Sequence, residues 1–184
     1  MRKNFGKQSW VLPQPVLIIA TYDNEGRANA MNAAWGGMYD DNKIGICLGQ
    51  HKTTDNIKLN KAFTVSFADV KNAVAADYVG IVSASEEPDK FKKAGFTAVR
   101  SERVNAPIIE QFPIALECEL VKITEDGYVI GEIVNVSAEE QVLAPDGKPD
   151  WDKLGLIVFD PIHAAYARIG EKVGNAFSDG KRIK

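Results

Sequence analysis

Apolar and β-branched residues alternate with polar or small residues along much of the chain, and this period of two is typical of half-buried β-strands. Turn residues at 23–26 and 125–127 interrupt the pattern, and each interruption predicts a hairpin between the flanking segments. Hairpins and short connections dominate, so the pattern indicates an antiparallel sheet and not a parallel one. The predicted strands are residues 16–22, 43–49, 62–68, 114–124, 128–142 and 156–159.

Three other segments predict helices inserted between the strands. They are residues 53–61, which begin with side chains suited to an N-cap, residues 70–84, and residues 86–95, which have Pro88 in the first turn and end on Gly95. Residues 105–113 contain two prolines and are expected to be irregular. No repeat or linker-like stretch is present, so we expect one domain over residues 1–184, mostly β with inserted helices, folded as a closed or partly closed barrel.

The composition narrows the classes of function. A net charge of −3 argues against nucleic acid as a partner, because phosphate backbones require a basic surface. The apolar run Val16–Ala20 is too short for a secretion signal or a membrane span. Cys47 and Cys118 lie far apart in strand-like segments, which predicts reduced thiols in a cytoplasmic protein, and the two histidines do not favour a metal site.

The stretch GRANAMNAAWGG, residues 26–37, consists almost entirely of small side chains and also has two asparagines and a tryptophan. One interpretation is structural: a helix with a polar stripe, or a tightly packed strand of the barrel. The other is functional, because a strand of small residues lets a flat ligand approach its backbone closely. The residues alone favour the structural interpretation.

The stretch QHKTTDN, residues 50–56, combines basic and hydroxyl side chains at the predicted start of a helix. Free N–H groups at a helix N-terminus bind anions such as phosphate, and the basic residues favour that interpretation. The alternative is an ordinary N-cap in which the side chains satisfy the helix's own backbone. The stretch is not a Walker loop, so a nucleoside triphosphate is not indicated.

Six segments together resemble the flavin reductase-like proteins with an FMN-binding split barrel, and among them the flavoredoxins. Each is weak alone, but all six follow the family's order: NAMNAAWGG, HKTTDNI, PDKFKKAG, APIIEQFPIALECEL, GEIVNVSAEE and YARIGEKVGNAF. The resemblance runs nearly from end to end. It implies a Greek-key split β-barrel that forms a homodimer, with FMN in a groove at or near the subunit interface.

The resemblance also implies which residues bind FMN. Asn29 and Asn32 would hydrogen-bond the polar edge of the isoalloxazine, Trp35 would form an aromatic wall, and Lys90 would reach the ring or the phosphate. Tyr166 would stack on the flavin. For Lys90 a solvated helix lysine is the alternative, and for Tyr166 a place in the barrel core. Backbone contacts are expected from Ala30, Met31, Ala33 and Ala34, and phosphate contacts from Gln50, His51, Lys52, Thr53, Thr54 and Asn56.

Three functions are compatible with these residues. The first is an FMN-dependent oxidoreductase that takes electrons, with NAD(P)H as a candidate transient donor, and passes them to free flavin or another acceptor. The second is an electron carrier that exchanges electrons with a redox partner protein and has no nicotinamide-dependent activity. The third is a ligand-binding module without flavin. No side chain is expected to act as a catalytic nucleophile or base, because no constellation for hydrolysis is present.

Overall fold

The computed structural model describes residues 1–183, and its largest element is a seven-stranded antiparallel sheet. The strands at the two edges are not hydrogen-bonded to each other, so the sheet curls around a core without closing. This split barrel confirms the predicted fold class. In spatial order the strands are β3 (Ala28–Ala33), β2 (Leu17–Tyr22), β6 (Ala62–Phe67), β9 (Ile114–Ile123), β10 (Tyr128–Ala138), β5 (Lys43–Cys47) and β4 (Gly36–Asp40).

Within residues 1–183, two small sheets, four α-helices and two single 3-10 turns, Glu140–Val142 and Asp179–Arg182, complete the fold. One sheet contains β1 (Gln14–Pro15), β11 (Ile157–Asp160) and β12 (Ala165–Arg168), and the other contains β7 (Ala98–Arg100) and β8 (Pro107–Ile109). No helix within residues 1–183 is both long enough and apolar enough to cross a lipid bilayer. The helices are α1 (Lys52–Asn60), α2 (Ala73–Ile81), α3 (Lys90–Lys93) and α4 (Trp151–Leu154).

Strand β2 lies next to the edge strand β3, and its residues Leu17–Ala20 are all apolar because both faces of the strand are buried. Leu17 and Ile19 belong to the core inside the curled sheet, together with Phe63 of β6. Ile18 and Ala20 belong to a second core on the opposite face, which α2, α3 and the loops around them cover. The sheet is therefore positioned between two apolar layers, and this fixes its register.

The small-residue stretch 26–37 forms parts of two strands and not a helix. Gly26 has a φ of 75° in the turn that leads into β3, as the hairpin requires. The chain then leaves the strand at Ala34 and Trp35 and enters β4 at Gly36. A Cβ at Gly36 would lie 3.0 Å from the carbonyl oxygen of Gly45, so this glycine allows β4 to pair closely with β5.

The predicted helices exist, but their bounds differ from the prediction. Helix α1 begins at Lys52, and its N-cap is His51, whose side chain makes no capping bond, so the expected N-cap at Thr53 is wrong. Helix α2 is shorter than residues 70–84, and α3 is a single turn. The segment 105–113 contains β8 and is not wholly irregular. Six elements were not predicted: β1, β4, β7, β8, β12 and α4.

Candidate functional site

Strand β3 and the start of α1 meet through a buried hydrogen bond between two of the predicted site residues. The Asn29 Nδ2 group donates to Thr53 Oγ1 at 2.8 Å, and Asn29 is only 5% exposed. The other carboxamide atom, Asn29 Oδ1, is buried and has no hydrogen-bond partner within the described residues. A buried acceptor without a partner is unfavourable, so this oxygen indicates a place where a ligand donates.

The N-terminus of α1 supplies hydrogen-bond donors beside Asn29. Its first backbone bond runs from the Asp55 N–H to the His51 carbonyl at 3.1 Å, so the N–H groups of Lys52, Thr53 and Thr54 precede the helical pattern. Within residues 1–183 these three groups have no acceptor. A helix of nine residues with free N–H groups and a partial positive charge at this end can hold an anion.

The two threonine hydroxyls of α1 have different roles. Thr54 Oγ1 donates to the Gly49 carbonyl at 2.9 Å, so the hydrogen of this hydroxyl is committed to the loop before the helix. Thr53 Oγ1 accepts the bond from Asn29 and keeps its own hydrogen for a further acceptor. Thr53 therefore contributes a hydroxyl and an N–H to the site, whereas Thr54 contributes its N–H.

Lys90 is the first residue of α3, and its side chain is buried against the end of α2. This burial excludes the alternative of a solvated helix lysine. The residue is 4% exposed, and its Nζ donates to the carbonyls of Val79 at 3.0 Å and Val82 at 2.8 Å. An ammonium has three hydrogens, so one donor remains. Burial lowers the pKa of Lys90 to about 8, because desolvation disfavours the charged form.

One cavity of about 180 Å³ is lined by Asn29, Lys52, Thr53 and Lys90 but not by Thr54. Its lining contains two lysines and a histidine and no acidic side chain, so the cavity attracts anions. It brings together six of the predicted site residues: Asn29, Met31, His51, Lys52, Thr53 and Lys90. The opposite wall is the segment 79–84, which sequence reasoning placed in a helix and did not assign to a site. Its small residues Gly80, Ser83 and Ala84 are the signal that could have identified it.

A second cavity of about 220 Å³ adjoins the first, and both are lined by Gly80 and Ile81. Asn32 Nδ2 donates there to the Ala76 carbonyl at 3.1 Å and to Tyr166 Oη at 3.2 Å. Tyr166 Oη in turn donates to Asp77 Oδ1 at 2.9 Å. Burial and the bond to Asp77 raise the pKa of Tyr166 to about 12. Tyr166 lies at the surface of this cavity and not in the barrel core.

Asn29 and Asn32 do not lie side by side. Residues three apart on a strand face opposite sides of the sheet, and their side chains accordingly line different cavities. Ala33 and Ala34 line the second cavity with Asn32. The predicted site residues from Asn29 to Ala34 are thus spread over two adjoining cavities, and the two carboxamides do not meet at one point.

Trp35 lines a third cavity of about 530 Å³, which Ala34 connects to the second. The tryptophan is 57% exposed and lies beside Met38, Tyr39 and glycines of β4. The N-terminal segment forms the other wall through Val11, Pro13 and their neighbours, and no lining residue is charged. The three cavities together form a groove along β3 and the start of β4.

Four predicted site residues lie outside these cavities, and one of them is Thr54, which is buried with its hydroxyl bonded to the Gly49 carbonyl. Gln50 is exposed in the loop before α1. Ala30 is fully buried in the core between the sheet and α2. Asn56 is also buried, and its Nδ2 donates to Thr21 Oγ1 at 3.1 Å, which fixes α1 against β2. Within residues 1–183, no group of three His, Cys, Asp or Glu side chains forms a potential metal site.

The fold and the groove define an open-barrel protein whose basic cavity at a helix N-terminus continues into an apolar, aromatic-lined depression. The chain belongs to the flavin reductase-like domain family, whose family model matches residues 9–153. This confirms the resemblance inferred from the six sequence segments.

Two solved flavoredoxins are similar to the whole chain. The flavoredoxin of Desulfovibrio vulgaris (Miyazaki F) is 37% identical with a TM-score of 0.94, and the alignment covers 98% of this chain and all of that one. The flavoredoxin of Methanosarcina acetivorans is 26% identical with a TM-score of 0.90, over the full length of both chains. An uncharacterized protein of Aeropyrum pernix is 28% identical over 120 residues, which are 64% of this chain but only 46% of that protein.

Proposed function

We propose that this protein is an FMN-binding oxidoreductase that transfers electrons through the flavin to an acceptor. The observation that carries the proposal is the buried, unpartnered Oδ1 of Asn29, a residue that lines one cavity together with Lys52, Thr53 and Lys90. A ligand that pairs with all of these groups needs both anionic or carbonyl oxygens and an N–H donor, and FMN has both. The family and the similarity to flavoredoxins support the same ligand.

The FMN phosphate is assigned to the N-terminus of α1. The N–H groups of Lys52, Thr53 and Thr54 and the Thr53 hydroxyl are its donors, and the Lys52 side chain adds positive charge. His51 and Gln50 belong to the same turn. Asn56 does not contact the phosphate in this assignment; its bond to Thr21 fixes the helix against β2.

The isoalloxazine ring is assigned to the groove along β3. Asn29 meets its polar edge, and the small side chains of Ala33 and Ala34 leave room for its face beside Met31. Trp35 and Tyr166 are the aromatic groups of the groove. When bound, FMN supplies the redox chemistry, because it accepts electrons and passes them on. The chain binds and orients it and excludes water, and no nucleophile or general base is assigned. Lys90 places a cation that favours negative charge in the site.

We further propose that the protein is a cytoplasmic homodimer, as the resemblance implies, and that NAD(P)H is its transient electron donor. An electron carrier without nicotinamide-dependent activity is the second candidate, and the similarity to flavoredoxins favours it. Anaerobic stopped-flow mixing of the FMN-loaded protein with NADH or NADPH distinguishes the two. Rapid bleaching of the flavin absorbance supports the reductase, whereas no bleaching with either nucleotide supports the carrier.

Replacement of Lys52 by alanine tests the phosphate assignment. We expect FMN affinity to fall by about tenfold or more, because hydrogen bonds to charged groups are among the strongest, while riboflavin affinity stays unchanged. Lys58→Ala is the matched control, since Lys58 lies in the last turn of the same helix. Affinities come from quenching of flavin fluorescence. Equal losses for FMN and riboflavin would place the phosphate elsewhere, and a protein that binds neither flavin would refute the proposed function.

A further inference from the structure

The C-terminal residues 170–183 form an arm that lies apart from the barrel. The last backbone contact with the body is the bond from the Ile169 N–H to the Leu156 carbonyl at 3.0 Å. Every hydrogen bond given by residues 170–183 is internal to the arm, and nearly all of its residues are exposed. Two apolar side chains are almost completely in water: Val173 is 98% exposed and Phe177 is 100% exposed.

The end of the arm nevertheless has a defined shape, which we call the Phe177 hook (residues 174–182). The Asp179 carboxylate accepts from the Asn175 N–H at 2.8 Å and pairs with Arg182 at 3.1 Å. The Asp179 N–H donates to the Asn175 carbonyl at 3.1 Å, which closes a tight turn around Phe177.

The backbone of this hook holds Phe177 in an unfavourable position. Its φ of 59° lies in the left-handed region, which a bulky side chain rarely adopts. Both the left-handed backbone and the exposure of a whole aromatic ring to water are unfavourable. Such conformations occur where a binding contact compensates for their cost. The hook therefore has the form of an anchor for an apolar cavity.

The third cavity, beside Trp35, matches this anchor. Its volume of about 530 Å³ admits an aromatic ring, and its lining has no charged side chain. Met38 and Tyr39 are exposed on its rim, so the cavity too lacks a cover. One pair of charges also corresponds: Asp41 follows β4 beside the cavity, and Lys181 follows Phe177 on the arm.

We infer that the Phe177 hook of one copy inserts into the Trp35 cavity of a second copy, so that two reciprocal contacts form a symmetric dimer. Reciprocal exchange uses the same hook and the same cavity on both copies, as a closed two-fold interface requires. It covers the two exposed apolar surfaces at once. The partner's Phe177 then lies against Trp35, and each groove is completed by the other chain. This last consequence rests on the proposed flavin site, whereas the hook contact itself does not.

Sedimentation equilibrium of the full chain, with and without FMN, tests the dimer contact. We expect a dimer whose dissociation constant rises about tenfold or more in Phe177→Ser, because each copy loses one buried aromatic ring. Val74→Ser is the control, since Val74 is an exposed apolar residue outside the arm and the cavity. Because Phe177 touches nothing in the single chain, its replacement leaves folding intact. A monomer at all concentrations, or a dimer that Phe177→Ser does not weaken, would overturn the inference.

Cross-linking identifies the surface that receives the hook. Phe177→Cys chains mixed with Met38→Cys chains should form a disulfide-linked dimer under mild oxidation, and Phe177→Cys mixed with Val74→Cys should not. Equal cross-linking of both mixtures would contradict the assignment of the cavity. Flavin binding is measured separately, so loss of the dimer contact with FMN affinity retained refutes the hook and leaves the proposed function standing.

Discussion

Replacing Asn29 with alanine separates a ligand-binding role of this carboxamide from a structural one. In the flavin-free protein the substitution removes the bond from Nδ2 to Thr53, which is worth about 0.5–1.5 kcal/mol. It also removes the buried Oδ1, whose lack of a partner costs about 1–3 kcal/mol. The two contributions have opposite signs and similar size. Their difference runs from a loss of about 0.5 kcal/mol to a gain of about 2.5 kcal/mol, so the free energy of unfolding should fall by no more than about 0.5 kcal/mol and the melting temperature by no more than about 2 °C.

Flavin binding should respond far more strongly to the same substitution. In the wild-type protein a bound ligand gives Asn29 Oδ1 its partner, so the cost of the unpaired acceptor becomes binding free energy. Its loss corresponds to about 1–3 kcal/mol, or about a 5- to 150-fold rise in the dissociation constant. Because Asn29 is assigned to the ring and not to the phosphate, FMN and riboflavin should lose affinity equally. Titration by flavin fluorescence and thermal unfolding of the flavin-free protein measure the two effects.

Asn60→Ala provides a matched control on α1, the helix that Asn29 contacts through Thr53. Asn60 Nδ2 donates to the Tyr22 carbonyl at 2.7 Å, and the residue does not line the flavin cavity. Its replacement should lower the free energy of unfolding by about 1 kcal/mol and leave flavin affinity unchanged, the reverse of the Asn29 result. If Asn29→Ala destabilises the protein as Asn60→Ala does and binds flavin normally, the carboxamide is structural and the reasoning is refuted.

Three further predictions concern charge and packing. Because burial lowers the pKa of Lys90 to about 8, and an anionic ligand favours the charged form, FMN affinity should fall as the pH rises above 8, and Lys90→Met should abolish this dependence in titrations across that range. Gly131→Ala would place a Cβ in steric overlap with the Phe63 ring, so urea unfolding should show a loss of about 1–3 kcal/mol. Ser101→Ala removes a donor from the buried Glu117 carboxylate and should cost about 1.5–3 kcal/mol in the same assay.

Most strands of the barrel were predictable because burial gives them apolar runs or an alternating pattern, whereas β4 was not, since four of its five residues are exposed. Strand β12 escaped prediction because all four of its residues are exposed, so no apolar face marks it. Helix α4 was missed for a different reason: its four residues are too few to show a helical period, although its caps are visible in the sequence. Asp150 accepts from the N–H groups of Asp152 and Lys153, and Gly155 has a φ of 57°.

The candidate site was only partly predictable. Whether Asn29 and Asn32 share a face depends on the element that carries them, since residues three apart face the same side of a helix and opposite sides of a strand. The wall formed by residues 79–84 depends on how α2 packs against β3, and no local pattern encodes that contact. The burial of Lys90 has the same origin, because its two acceptors belong to α2 and the turn after it.

The unpaired polar groups of the barrel also limit the kind of ligand. Three buried side-chain atoms in residues 1–183 have no partner: Gln14 Oε1, Asn29 Oδ1 and Ser66 Oγ. Of their residues, Asn29 lines the cavity with the α1 donors. A simple anion such as phosphate would satisfy those donors but would leave Asn29 Oδ1 unpaired, because it brings no N–H group. A ligand with an anionic end and a ring N–H pairs with both kinds of group at once. The mixture of free donors and one buried acceptor therefore favours a nucleotide-like cofactor such as FMN over an inorganic anion.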